Sequence, residues 1–405
     1  MNGFLDRVEG ASGGFLLGAF LLYCAAFLLF GAAVTAKRRW DKAGFLAAAA
    51  GFVCHLLFFF TRWYISGYIP VSNMYEFMTF LAMMIVFAVL VLYLLYKSPA
   101  LCAFSLPVGI VILAYASVFP KEITPLIPAL QSRWLAIHVT LAASGEAFFA
   151  AGFAAGLMYL IRNVDFRSTD ARWKRRGVEF TFFAMLAVIG FAVSSLGFQA
   201  SGFRAVFEAP SAGREGQAVE NRYTLPPLVS PHEGVYKEGS VFLGMRNGLL
   251  QAPGWMKGVQ AGRKLNTVVW SLLAGGVLYG GLRAAARKPL GAVAQPFLRR
   301  MDPEDLDEIA YRSIAIGYPV FTLGALIFAM IWAHEAWGRF WGWDPKEVWA
   351  LITWLFYAIY LHLRLSKGWH GEKSAWLAVL GFIIVIFTLI GVNLVITGLH
   401  SYAGV

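Results

Sequence analysis

The chain has 405 residues, 59% of them hydrophobic and 14% charged, with a formal net charge of +11. That composition excludes a water-soluble globule of this size, and without aromatic-interleaved basic patches the positive charge points to an anionic lipid surface rather than to nucleic acid. Cys24, Cys54 and Cys102 all stand inside apolar runs with no Cys-x-x-Cys pair, which excludes a disulfide framework and thiol redox chemistry carried by the chain itself.

Ten apolar runs are each about long enough to cross the roughly 30 Å hydrocarbon layer as a helix. The first, 13–36, follows Asp6 and Glu9 rather than a basic start and lacks a small-residue cleavage site, so it reads as a retained helix rather than a signal peptide. The second, 42–63, holds His55 near its middle. Runs 75–96 and 100–118 follow, the fifth, 138–161, begins at His138, and the sixth is 179–200. Residues 201–264 break the pattern: rich in Gly, Pro and charge, they read as an external loop with little core of its own. The seventh run, 266–283, leads into 284–311, a cytoplasmic linker with an amphipathic helix, and runs 312–333, 348–365 and 374–397 complete the series. The expected organisation is six membrane helices over 1–200, the loop at 201–264, an extra helix and linker over 265–311, and C-terminal membrane helices over 312–405. The sequence contains no fixed-period repeat, phosphate loop or dinucleotide fingerprint.

Basic residues set the orientation. Lys37 to Arg39, Arg172 to Arg176, Arg283 to Lys288, Arg299-Arg300 and Arg364 to Lys373 fall in alternate connections, which the positive-inside bias makes cytoplasmic. Both termini and the connections at 63–75, 119–137 and 201–264 then face outward. The expected fold class is an all-α polytopic bundle of about ten membrane helices with both termini external.

Trp332 to Trp354, WAHEAWGRFWGWDPKEVWALITW, sets six tryptophans around Asp344 on that same outer side. Trp337, Trp341 and Trp343, interrupted by Gly338 and Gly342, fit neither one helical stripe nor an alternating strand. Aromatics spaced by glycine can offer ring faces to a flat ligand while the backbone approaches it closely. An interfacial aromatic belt is the other reading. Asp344-Pro345-Lys346-Glu347 carries a separate signal: an aspartate N-cap, proline at the first helical position and a glutamate closing a capping box, so a helix starts at Pro345.

Of the seven histidines, His138 and His400 lie on the tryptophan side. Two neutral imidazoles facing each other across an aromatic slot are what a bis-histidine haem requires; the alternative is interfacial histidines bonded to backbone carbonyls. His55 and His362 are candidates for a second haem site within the membrane, against buried histidines each satisfied by a serine or carbonyl. His232 and His370 read as solvated, and His334 as a structural residue at a helix exit. Glu146 is the main acid in the apolar runs, so a chain of proton-relay residues is not expected and ion or proton translocation is disfavoured.

The run WAHEAWGRFWGWDPKEVWALITWLFYAIYLHLR, with SGYIPVSNMYEF, SRWLAIHVTLAASGEAFF and GVNLVITGLHSYAGV, resembles the CcsA/ResC-type membrane subunit of the cytochrome c synthase of system II. That subunit belongs to a wider haem-handling superfamily named for its tryptophan-rich, Asp-containing WWD signature. The resemblance covers about 42–162 and 312–405, and on these motifs the stretch between the fifth and eighth helices has no counterpart. It implies that His138 and His400 ligate haem beside the tryptophan segment and that His362 is a transmembrane haem ligand. His55 falls where a further membrane ligand is expected. Trp337, Trp341 and Trp343 would wall the haem, and Asp344 joins His138 and His400 at the reaction site.

In such proteins haem b, bound as a substrate, enters from the cytoplasmic side and reaches the outer platform. Its vinyl groups are there joined to two thiols of a Cys-x-x-Cys-His apocytochrome c, which needs reduced haem and reduced thiols. The resemblance thus implies a haem lyase subunit of the bacterial cytoplasmic membrane, working with a CcsB/ResB-type membrane partner and a thiol-reducing, thioredoxin-like protein. The rival is a haem carrier that delivers to a separate chaperone and forms no thioether. His334 departs from the pattern, because a neutral polar residue is expected there.

Overall fold

The computed structural model describes residues 2–35, 40–123, 125–126, 128–168, 171–210, 218–254 and 261–392. Among these residues, ten helices are long and apolar enough to cross a membrane. They are α1 (Asn2–Thr35), α2 (Trp40–Ser66), α3 (Met74–Tyr96), α4 (Pro99–Ala116), α5 (Arg133–Asn163), α6 (Arg172–Ala200), α7 (Ala261–Ala286), α8 (Pro303–Trp337), α9 (Pro345–Lys367) and α10 (Glu372–Gly391). Every expected apolar run is one of them, and the protein is an all-α polytopic membrane bundle.

Local chemistry places the helix starts. Asn73, Ser98, Ser132, Asp302 and Asp344 each accept a backbone N–H from the first turn of the helix that follows, and Pro99, Pro303 and Pro345 occupy first-turn positions where no N–H is needed. Two helices stop on a left-handed glycine, Gly338 after α8 and Gly368 after α9.

The described residues form two compact units, 2–178 with 291–389, and 179–290 with 390–392. In the first unit α5 is the axis, packing on α3, α4, α8 and α10. Its crossing with α8 runs over glycines. A Cβ on Gly145 would stand 2.7 Å from Phe321, one on Gly152 2.7 Å from Ile314, one on Gly317 2.8 Å from Phe148, and one on Gly324 2.3 Å from the Ala142 nitrogen. Lipid offers no hydrophobic drive between helices, so small residues that let backbones approach supply the packing instead.

In the second unit α6 and α7 also meet at glycine, with a Cβ on Gly190 only 2.5 Å from the Gly275 nitrogen. Between them the expected coreless loop is a small β structure. Strands β1 (Ala205–Pro210), β2 (Ala218–Tyr223) and β4 (Val235–Gly239) form an antiparallel sheet in the order β2-β1-β4, and β3 (Val229–Ser230) pairs in parallel with β5 (Leu250–Gln251). Phe203, Ala205, Phe207 and Tyr223 bury a hydrophobic cluster on this sheet. Asn266 on α7 anchors it, accepting from the Leu228 and Val229 N–H groups at 2.8 and 3.0 Å and donating to the Pro226 carbonyl at 3.1 Å. The segment thus has its own core, contrary to the composition-based expectation.

The linker differs as well. Leu290–Ala294 is a short helical piece, and the amphipathic stretch from Pro303 is no separate element but the first turns of α8. Its polar groups are used there, since Asp307 bonds Arg364 of α9.

Candidate functional site

The start of α5 is tied to α8 by a series of contacts. Ser132 accepts from the Trp134 N–H at 3.1 Å, capping α5, and donates its hydroxyl to Glu335 of α8 at 2.8 Å. Trp134 stacks on Phe328 with ring centroids 5.6 Å apart. One turn further on, His138 Nδ1 lies 3.0 Å from the Gly324 carbonyl oxygen, and its ring stacks on buried Trp332 at 5.6 Å and an interplanar angle of 10°. A carbonyl only accepts, so Nδ1 carries the proton in this bond and Nε2 is the nitrogen of the neutral ring that can donate to a metal.

Around this carbonyl α8 is not a regular helix. Pro319 lacks an N–H, and Thr322–Phe328 is wound as a π-helix in which the Ala329 N–H reaches back to the Gly324 carbonyl. Such widened turns are concentrated at functional sites. Only glycine permits the close approach here, since any Cβ at 324 would overlap the α5 backbone. Trp354 of α9 donates its indole N–H to Thr322 at 2.9 Å, so the next helix also braces the π turn.

Beyond Trp332 the tryptophans form edge-on pairs. Trp337 meets Trp332 at 4.8 Å and 62°, and Trp341 meets Trp343 at 5.9 Å and 86°. The aromatic surface is therefore corrugated rather than one flat plane. Trp343 is 70% exposed and has φ of +56°, a left-handed conformation that is unusual for so bulky a residue. Glu347 holds it: one carboxylate oxygen accepts both the Gly342 N–H at 2.7 Å and the Asp344 N–H at 3.1 Å. Asp344, buried, accepts from the Lys346 N–H at 3.0 Å, so the expected capping box at Pro345 is present and fixes the end of the tryptophan segment. His334 is exposed and stacks on Phe340 at 4.3 Å.

A second anchor lies at the SGYIPVSNMYEF motif. Glu76, fully buried, takes a 2.9 Å hydrogen bond from Arg62 Nε and one of 3.0 Å from the Ser72 N–H, while Arg62 also donates to the Lys121 carbonyl at 3.0 Å. Removing one member of such a buried pair leaves an uncompensated charge, so the motif rigidly fastens the α2–α3 connection to the segment leading into α5.

The remaining candidates separate. His55 is buried on α2, with the Tyr23 hydroxyl 3.2 Å from its Nδ1. His362 is exposed on α9, and its Nδ1 lies 3.5 Å from the Ser366 hydroxyl. Their described partners are thus different groups on different helices. His232 and His370 are exposed, as expected. His400 lies outside the described residues. Sequence reasoning left out Gly324, gave Trp332 no role of its own within the tryptophan segment, and expected Glu347 only as the glutamate of the capping box. One signal for the first was available: Gly145 and Gly152 on α5 and Gly317 and Gly324 on α8 share a seven-residue spacing, the mark of two helices packed closely along one seam.

The family profile described as Cytochrome C assembly protein matches residues 71–203 and 263–400. It takes in α6 and α7, so these crossings do have family counterparts, contrary to the motif-based resemblance; between the matched segments, 204–262 lies outside. The chain is 32% identical to the cytochrome c biogenesis protein CcsA of Crocosphaera subtropica over 95% of each chain. It is 30% identical to the CcsA of Pyropia yezoensis, over 84% of this chain and 81% of that one, and 32% identical to the CcsA of Trichormus variabilis over 84% and 82%. The chain belongs to the cytochrome c assembly protein family, as a CcsA-type member.

Proposed function

We propose that this protein serves cytochrome c biogenesis by binding haem b as a substrate at the outer face of the bacterial cytoplasmic membrane. There it presents the haem for thioether attachment to Cys-x-x-Cys-His apocytochromes c. The observation that carries this reading is His138, locked by Gly324 and Trp332 at the edge of the tryptophan segment. A histidine whose second nitrogen is held by a carbonyl is the usual arrangement of a metal-binding imidazole. Trp332 and Trp337 give it aromatic, apolar surroundings and Nε2 is the donor atom, so the residues present fit the group. His400 is the expected second ligand, and His55 and His362 serve haem on its way across the membrane. Haem supplies the reactive vinyl groups; the protein's share is ligation, orientation and exclusion of water. A CcsB/ResB-type partner and a thiol-reducing, thioredoxin-like protein complete the reaction, because this chain offers no Cys-x-x-Cys pair of its own.

The test is the absorption spectrum of the purified protein. Low-spin haem b with a split alpha band is expected, and a haem-free preparation from haem-replete cells would sink the proposal. The same spectrum distinguishes a haem wall from a belt. If Trp337, Trp341 and Trp343 only anchor the interface, a triple Trp→Phe variant keeps its haem, because Phe is also apolar and aromatic. As haem walls they lose ring area and fit, so the variant should retain less haem at unchanged protein level.

Orientation follows from the basic connections. A reporter that works only outside the membrane should be active when fused near residue 230 or after Val405, and silent near residue 170 or residue 290. The reverse pattern would put the tryptophan segment in the cytoplasm and remove external attachment.

A further inference from the structure

The buried face of α9 is polar along its whole length. Thr353, Tyr357, Tyr360 and Arg364, at spacings of four, three and four, turn into the bundle. Thr353 meets Thr388 of α10 at 3.2 Å, and Tyr360 meets Ser374 of α10 at 3.1 Å. Arg364 donates to Ser374 at 3.2 Å, to Asp307 of α8 at 2.5 Å and to Glu308 at 3.3 Å. At the same end the exposed His370 has its Nδ1 3.8 Å from Asp307.

Three atoms of this seam stand out among the described residues. Glu146 Oε2 on α5, the Tyr357 hydroxyl and Asp307 Oδ1 are all buried without a hydrogen-bond partner. Glu146 is 5% exposed and Tyr357 fully buried. The Tyr357 ring is clamped on Phe149, one turn along α5 from Glu146, with centroids 3.7 Å apart. The other helices packed on α5 carry their charges away from its middle: Glu304, Asp305, Asp307, Glu308 and Arg312 in the first part of α8 and Glu335 in its last turns, Glu372 and Lys373 at the start of α10, and Glu76 at the start of α3 bound to Arg62; α4 has none. Among the described residues no ion pair joins Glu146, which is 5% exposed. An acid placed so is costly inside a membrane unless it is neutral or changes its charge in use, and such acids mark proton pathways.

We propose that Glu146 is a proton-binding site at the middle of the bundle, filled and emptied along the polar face of α9 from the end marked by His370 and Asp307. In the orientation set by the basic connections that end is cytoplasmic. A proton from hydronium passes by His370 and Asp307 to the Tyr360 and Tyr357 hydroxyls and on to the Glu146 carboxylate, giving the neutral acid. The reverse steps return it. Only O–H and N–H bonds form and break, and no electron moves. Arg364 stays protonated throughout and holds Asp307 in place. The inference does not rest on the haem site: it assigns proton exchange to residues remote from the tryptophan segment.

Infrared difference spectroscopy on the full-length protein in detergent tests it. Between about pH 5 and pH 10, a range that spans documented buried carboxyls, the wild type should show one carboxylic C=O band that titrates and shifts in D2O. Glu146→Gln should lack that band. Tyr357→Phe keeps the stack on Phe149 and removes only the hydroxyl, so it should retain the band but exchange into D2O roughly tenfold more slowly, as loss of one proton-carrying hydroxyl predicts. His370→Ala should slow exchange in the same sense. A wild-type spectrum without a titrating carboxyl band would overturn the site. Exchange in Tyr357→Phe at the wild-type rate would overturn the path, and does so even where Glu146→Gln fails to fold.

Discussion

Replacing His138 with Ala is expected to abolish cytochrome c maturation, or at least to lower it well beyond the roughly tenfold loss seen when a ligand's outer partner is removed. His400→Ala should do the same. Under the proposed ligation, each substitution takes one strong-field axial nitrogen from the iron. His138 is only half-buried, so the variant should be made in normal amount. Added imidazole should restore part of the activity by filling the vacated axial position. Haem content and maturation of an apocytochrome, with and without imidazole, measure this. Full maturation in the double His138→Ala, His400→Ala variant without imidazole would end the ligand assignment.

The parts of the structure that were legible in the sequence are those decided locally. Ten apolar runs became ten helices because span length and apolarity are properties of single segments. Asp344-Pro345-Lys346-Glu347 became a capping box because its partners lie within three residues. What escaped depends on pairs far apart in the chain. His138 and Gly324 are 186 residues apart, and neither is informative without the other. The polar face of α9 is similar: its spacing was readable, but that Tyr357 stacks on Phe149 of α5 is set by helix packing. The expectation that proton-relay residues are absent counted acids and lysines and passed over tyrosines. The sheet at 205–239 did carry a period-two signal, with Ala205, Phe207 and Ala209 buried on alternate positions, hidden among Gly, Pro and charge that read more naturally as loop.

Gly324→Ala should reproduce the loss of His138 without touching a ligand. The new Cβ would lie 2.3 Å from the Ala142 nitrogen and 2.6 Å from the Leu141 carbonyl carbon, backbone atoms that cannot swing aside as a side chain would. Either α5 and α8 separate or the π turn rewinds, and both move the Gly324 carbonyl away from His138 Nδ1. Overpacking of this kind costs about 1–3 kcal/mol, and loss of the partner that orients a metal-binding histidine costs roughly 10- to 100-fold in affinity. Haem retention should therefore fall by about that factor at a protein level close to normal, and more steeply for Gly324→Val. Gly280→Ala on α7, where an added Cβ meets nothing within 4 Å, is the control and should behave as wild type. Imidazole separates the two ways in which Gly324 could matter. If it acts through His138, imidazole should rescue Gly324→Ala as it rescues His138→Ala; if the glycine only holds the helices together, the variant should lose haem without any response. Wild-type haem content in Gly324→Val would show that the π turn does not hold His138 in the protein as it works.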